Sequence, residues 1–178
     1  MKSPPTDTEQ KTPYELDDHL PYRIAVISNI LQLGRDIAIR KITDLGSREL
    51  RVLLNVGTYS PVSAAQIAFQ TKLDSYTVSR GVKTLLGTKL IDKRSLPNNK
   101  KEKLLYLTDK GQELYQQVTE SLQQRDEQLA SFLTPKQRQT LTDNLKKLEL
   151  QAVELLAQHA LNEQDAGHEL SGDQKEII

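Results

Sequence analysis

From Leu20 to about Lys41 two apolar rows run side by side at roughly 3.5-residue spacing. One row is Leu20, Ile24, Ile27, Leu31, Gly34 and Ala38, and the other is Val26, Ile30, Leu33 and Ile37. Together they make an arc wider than the single stripe of a surface helix. The pattern predicts a long helix covered on two sides, by its own core and by a second subunit.

The pattern then shortens. "SRELRVLLNV" (47–56) predicts a short helix with Ser47 as its N-cap. Ser63 and Gln66 fit an S-x-x-Q capping box, so a helix should begin at Ala64. "LDSYTVSRGVKTLLGTKL" starts again, with Asp74 or Ser75 as cap and Val78, Val82 and Leu85 along one face. Two short helices this close in sequence form a helix-turn-helix pattern. "LIDKRS" (90–95) and "KLLYLT" (103–108) read as strands around "LPNNKKE", where Pro97, Asn98 and Asn99 are turn formers. A helix-turn-helix followed by a basic hairpin is a winged helix.

Two long helices complete the chain. One runs from Thr108–Asp109 to about Phe132, with apolar positions at Leu114, Val118, Leu122, Leu129 and Leu133. "LTPKQ" restarts the next, with Thr134 as N-cap, Pro135 at N1 and Gln137 at N3. Leu141, Leu145, Leu148, Ala152 and Leu155 then form a seam too short to stand alone, so it needs an opposing face. The fold class is mainly α: a winged helix-turn-helix with a two-stranded wing, flanked by long N- and C-terminal helices. Residues 1–15, with Pro4, Pro5 and Pro13 among polar residues, read as a disordered arm. Residues 162–178 read as a flexible acidic tail.

Charge sharpens this picture. The chain has 24 basic and 24 acidic residues, so it is formally neutral. Residues 60–110 hold 10 Lys and Arg against 4 Asp and Glu, a local +6. Residues 111–178 hold 6 against 12, a local −6. A local basic patch is what a polyanion partner needs, whatever the total. The apolar runs are too short for a membrane span, the N-terminus shows no secretory pattern, and cysteine is absent. A cytoplasmic protein without disulfides, thiolate metal sites or thiol redox chemistry is the simplest reading.

With Val78, Val82 and Leu85 inward, Ser75, Tyr76, Ser79, Arg80 and Lys83 point outward, with Thr77 among them at the helix start. Hydroxyls there can bond phosphates or base edges. Arg80 can fork onto guanine O6 and N7, and Lys83 suits a phosphate. This is the chemistry of a recognition helix in a major groove. Arg94, Lys100, Lys101 and Lys103 of the hairpin would lie over phosphates or the minor groove. Each feature alone has an ordinary reading: a solvated helix face, or a hairpin tip whose lysines discourage edge pairing. The combination favours double-stranded DNA.

At this point the order of elements resembles the MarR family of winged helix-turn-helix transcription regulators over roughly residues 20–160. "LGSRELRVLLNV", "SAAQIA", "DSYTVSRGVKTL", "LIDKR", "LYLTDKGQEL" and "LTPKQRQTLTDNLKKL" carry the resemblance. It implies a homodimer whose terminal helices interleave, with dimerisation helices at 16–44 and 110–161 around a DNA-binding lobe at 45–109. A pseudo-palindromic operator follows from twofold symmetry. Family wings usually carry Asp-x-Arg, and the matching positions here are Asn99 and Lys101. Lysine keeps the charge and loses the planar fork. The family usually has Gly where Lys89 stands, while Gly87 lies earlier and points to an earlier helix end.

Many family members are repressors released by small molecules, often aromatic acids. Arg23, near His19 and Tyr22, is a candidate partner for such a carboxylate, or for a surface or intersubunit salt bridge. His19, His159 and His168 show no metal-ligand spacing. The reading is therefore a homodimeric DNA-binding regulator, a repressor relieved by a ligand, with no cofactor. The alternative is a winged helix used for protein–protein assembly. There is no Gly-rich phosphate loop, nucleophile–base pair or metal cluster to suggest an enzyme.

Overall fold

The computed structural model describes residues 16–96 and 99–165. The expected arm over 1–15, the Pro97–Asn98 turn, the tail beyond Asp165 and the side chains of Lys100 and Lys101 lie outside the described residues. The chain divides into two compact units, residues 1–35 and 36–178.

In the first unit a 3-10 turn (Leu16–Asp18) precedes helix α1 (Leu20–Ile39), most of which belongs to this unit. Its apolar arc is largely bare. Ile27, Ile30 and Leu33 are 51%, 62% and 68% exposed, so a single chain leaves uncovered what the sequence pattern prepares for burial.

The second unit is mainly helical. It contains α2 (Ser47–Tyr59), strand β1 (Val62–Ser63), α3 (Ala64–Thr71), α4 (Ser75–Gly87), β2 (Ile91–Leu96), β3 (Asn99–Leu107), α5 (Asp109–Leu129) and α6 (Pro135–Asp165). This is a winged helix-turn-helix with long flanking helices. Local chemistry sets most helix starts. Ser63 Oγ accepts from the Gln66 N–H at 3.2 Å, and Gln66 Oε1 accepts from the Ser63 N–H at 2.8 Å. Thr134 and Gln137 form the same reciprocal box before α6. Thr108 caps α5 by accepting from the Gly111 N–H at 3.1 Å.

Ser47 is not the cap of α2. It is the first helical residue, and Gly46 stands at the N-cap in extended backbone with no side-chain bond. Glycine is tolerated at that position with little loss. The sheet is also larger than the hairpin. Its order is β1-β3-β2, with Val62 opposite Leu105. A two-residue strand leaves no alternation in the sequence, so only its tertiary pairing reveals it. Helix α6 continues to Asp165, past the point where the polar tail was expected to begin.

Val52, Leu53 and Val56 of α2, Ile67 of α3, Val78 and Leu85 of α4, and Val62, Ile91 and Leu105 of the sheet, with Leu90 just before β2, close one core. A second cluster joins Ile39 and Leu50 to Val118 of α5. Tyr115 of α5 lies over Gly57, where a methyl group would strike its ring, and its hydroxyl is 3.1 Å from Thr58 Oγ1. The winged-helix lobe is thus fastened to α5 from two sides.

Candidate nucleic-acid interface

Asp74 ends the turn and starts α4. Its Oδ1 accepts from the Thr77 N–H at 2.7 Å. The Thr77 side-chain and backbone hydrogen bonds hold the Asp74 carboxyl below its ordinary pKa. Thr77 is therefore half-buried beside the cap, while Ser75, Tyr76, Ser79, Arg80 and Lys83 are exposed. Val78, Gly81 and Leu85 are buried on the opposite face, with Val82 half-buried. The 3.6-residue period thus separates a core face from a face of hydroxyls and cations.

Arg80 is organised within its own helix. Its Nη1 donates to the Tyr76 hydroxyl at 3.4 Å, and its guanidinium carbon lies 5.6 Å from the ring centroid. The hydroxyl and the guanidinium therefore present themselves side by side.

The wing separates its charges by face. Register pairs Asp92 with Tyr106, Lys93 with Leu105, Arg94 with Leu104 and Ser95 with Lys103. Alternation places Asp92, Arg94 and Tyr106 on one face, and Lys93, Ser95 and Lys103 on the other. Arg94 stands over the Tyr106 ring at 4.7 Å, with its Nε 3.7 Å from Asp92 Oδ2. Lys103 Nζ donates to Ser95 Oγ at 2.5 Å. Arg94 and Lys103 thus serve different sides of the hairpin. A register shift falls between Ser95 and Leu96.

The end of α4 is tied to α5. Thr108 Oγ1 donates to the Lys89 carbonyl at 2.7 Å, and Lys110 Nζ donates to the Thr88 carbonyl at 3.3 Å. Beside this junction a groove of about 540 Å³ is lined by Asp44, Leu45, Thr88, Lys110 and Glu113, among others. His19 and Arg23 both lie in the first unit and are exposed. They are one helical turn apart, the Arg23 N–H donating to the His19 carbonyl at 3.0 Å.

A residue pair that the sequence reading passed over is Arg48–Glu49. Glu49 is 6% exposed and is the buried charged residue among those described. Burial pushes its carboxyl pKa up. The hydrogen bond from Arg48, a backbone N–H and the charges of Arg48 and Arg80 more than offset this, so the net shift is downward. The signal was present: Glu49 precedes Val52, Leu53 and Val56 by three, four and seven positions, which puts a charge in the apolar stripe. Among the described residues no group of His, Asp and Glu is placed to hold a metal, and no helix is long and apolar enough to cross a membrane.

Helix-turn-helix, three-stranded sheet and exposed basic helix face together define a winged-helix fold. Comparison with known proteins narrows it. Residues 43–102 match a model described as MarR family. A MarR/EmrR family transcriptional regulator from Acinetobacter sp. ADP1 is 28% identical, with a TM-score of 0.73 over 79% of this chain and 99% of that one. A putative MarR family transcriptional regulator from Listeria monocytogenes, complexed with 26mer DNA, is also 28% identical. Its TM-score is 0.72 over 85% of this chain and 97% of that one. The PcaV transcriptional regulator from Streptomyces coelicolor, in complex with its natural ligand, shares the fold at 17% identity. Its TM-score is 0.68 over 79% of this chain and 99% of that one. No curated protein matches. Residues 43–102 thus resemble the MarR family, and the chain shares its fold with transcription regulators of that family.

Proposed function

We propose that two copies of this chain pair and bind a pseudo-palindromic site on double-stranded DNA, acting as a cytoplasmic repressor that a small ligand releases. The observation that carries DNA binding is the exposed face of α4. Ser75, Tyr76, Ser79 and Arg80 can reach base edges and phosphates, and Lys83 a phosphate, with Thr77 at the helix start. Lys100, Lys101, Lys103 and Arg94 supply the wing's positive charge. The Listeria relative complexed with DNA supports the same use of the fold.

Pairing is supported by bare apolar surface. Ile27, Ile30 and Leu33 of α1, and Leu141, Leu145 and Leu155 of α6, are exposed in one chain. Burying each such side chain is worth roughly 1.5–3 kcal/mol. Residues 16–44 and 110–161 would form the dimer, with 45–109 as the DNA-binding lobe. The two copies of α4 would then sit about 34 Å apart, one DNA turn. The proposed effector is an aromatic carboxylate paired with Arg23, with His19 alongside. The PcaV relative in complex with its natural ligand makes a small effector a reasonable expectation for this fold.

The test is binding of the purified protein to DNA flanking its own gene, at two salt concentrations, with and without aromatic carboxylates. Tight, salt-sensitive binding weakened by one acid is the expected result. Binding that no acid alters would reject the effector and keep the regulator. Absence of affinity for any duplex would favour a protein-assembly role.

A further inference from the structure

We propose that Arg48 is a further DNA-phosphate contact, held beside the recognition helix by Glu49, which acts as its positioning residue. This rests on the DNA-binding reading above.

The starting point is that Glu49 is in an expensive place. A buried carboxylate costs free energy unless it is paired, and an apolar residue would commonly pack there at lower cost. Glu49 shares its helix face with Val52, Leu53 and Val56, all fully buried. Its Oε1 accepts from Arg48 Nε at 2.9 Å and from Arg48 Nη2 at 2.6 Å. Both bonds fall on one edge of the guanidinium. The fork carries five N–H donors in a fixed plane, so its other edge remains for a second acceptor. The Arg48 side chain is 34% exposed, against 9% for that of Glu49. The anion is buried and the cation partly exposed.

The position of Arg48 is set by α4. A methyl group on Gly81 would stand 2.9 Å from Val52 Cγ2 and 3.3 Å from Arg48 Cγ. The aliphatic stem of Arg48 therefore crosses the recognition helix at Gly81, the residue after Arg80. The Arg80 charge also acts on the Glu49 carboxyl. Arg48 thus packs against the buried side of α4 at Gly81, one residue along the chain from Arg80 on its exposed face. A phosphodiester oxygen is the acceptor that a half-free, pre-oriented guanidinium suits. Arg80 would read a base, and Arg48 would fix the helix against the flanking backbone.

The experiment is a salt titration of duplex affinity for the wild type, Arg48→Gln and Arg48→Lys, each with a thermal melt. Gln keeps the stem against Gly81 and the helix propensity. The slope of log K against log salt should shrink by about 0.9 per subunit in Arg48→Gln. It should stay at the wild-type value in Arg48→Lys. Partial unfolding of a variant rescales its active concentration at every salt and leaves the slope alone, so a structural role would lower the melting temperature only. A wild-type slope in Arg48→Gln would overturn this inference while leaving the DNA-binding reading intact. Salt-insensitive or absent binding by the wild type would overturn both.

Discussion

A methyl group on Gly111 would stand 1.8 Å from the carbonyl oxygen of Leu90. The same carbonyl accepts the Thr108 N–H at 3.1 Å and the Thr108 hydroxyl at 3.2 Å. The first turn of α5 is thus pressed onto the start of the wing, and only glycine allows the approach. The obstructing atom is backbone, which cannot swing aside as a side chain can. Gly111→Ala should therefore lower stability by about 3 kcal/mol, read by urea denaturation. Gly87 has open space where its methyl would go, so Gly87→Ala should show no such loss. Equal effects at the two sites would contradict the close-approach argument.

Lys89 adopts a φ of 57°, in the left-handed region. Helix α4 ends at Gly87, and the chain reverses with a lysine where glycine is the easier residue. Lys89→Gly should raise stability by about 1 kcal/mol, because the left-handed conformation costs a side chain roughly that much. A melting temperature at or below the wild-type value would count against strain at this turn.

Asp74 gives α4 an acid-sensitive start. Its folded pKa lies below its ordinary value, first through the Thr77 hydrogen bonds. A carboxyl depressed in the folded state contributes stability that is fully present above its unfolded pKa and is lost as pH falls through the folded one. The loss should begin below about pH 4. Asp74→Asn keeps an acceptor for the Thr77 N–H and should remove this part of the acid dependence. Matching stability-versus-pH curves for the two proteins would show that the cap carries no linked proton.

Arg80→Ala tests base reading. The expected result is a loss of roughly 1–3 kcal/mol on the preferred duplex and relaxed preference at one base position. A uniform loss across sequences would reassign Arg80 to the phosphate backbone. Measuring affinities on a panel of single-base variants separates these outcomes.

Much of this protein was written locally. Ser63 with Gln66, Asp74, Thr108 and Thr134 with Gln137 mark helix starts because a cap is a bond between residues three apart. The helical period likewise separated Val78, Val82 and Leu85 from Ser79, Arg80 and Lys83, since one helix face is a matter of spacing alone. The order of elements then sufficed for a winged helix that resembles the MarR family.

Other features depend on contacts between residues distant in sequence. Val62 and Ser63 become a strand only because β3 lies beside them. Gly111 is required only because Leu90 arrives against it. The spacing of Glu49 puts it in the apolar stripe of α2, and only the tertiary structure shows it buried and bonded to Arg48. The apolar arc of α1 shows the limit from the other side. Its spacing declared that Ile27, Ile30 and Leu33 should be covered, and the tertiary structure of one chain leaves them exposed. Periodicity fixes which face is apolar. Only three-dimensional packing decides what lies against it.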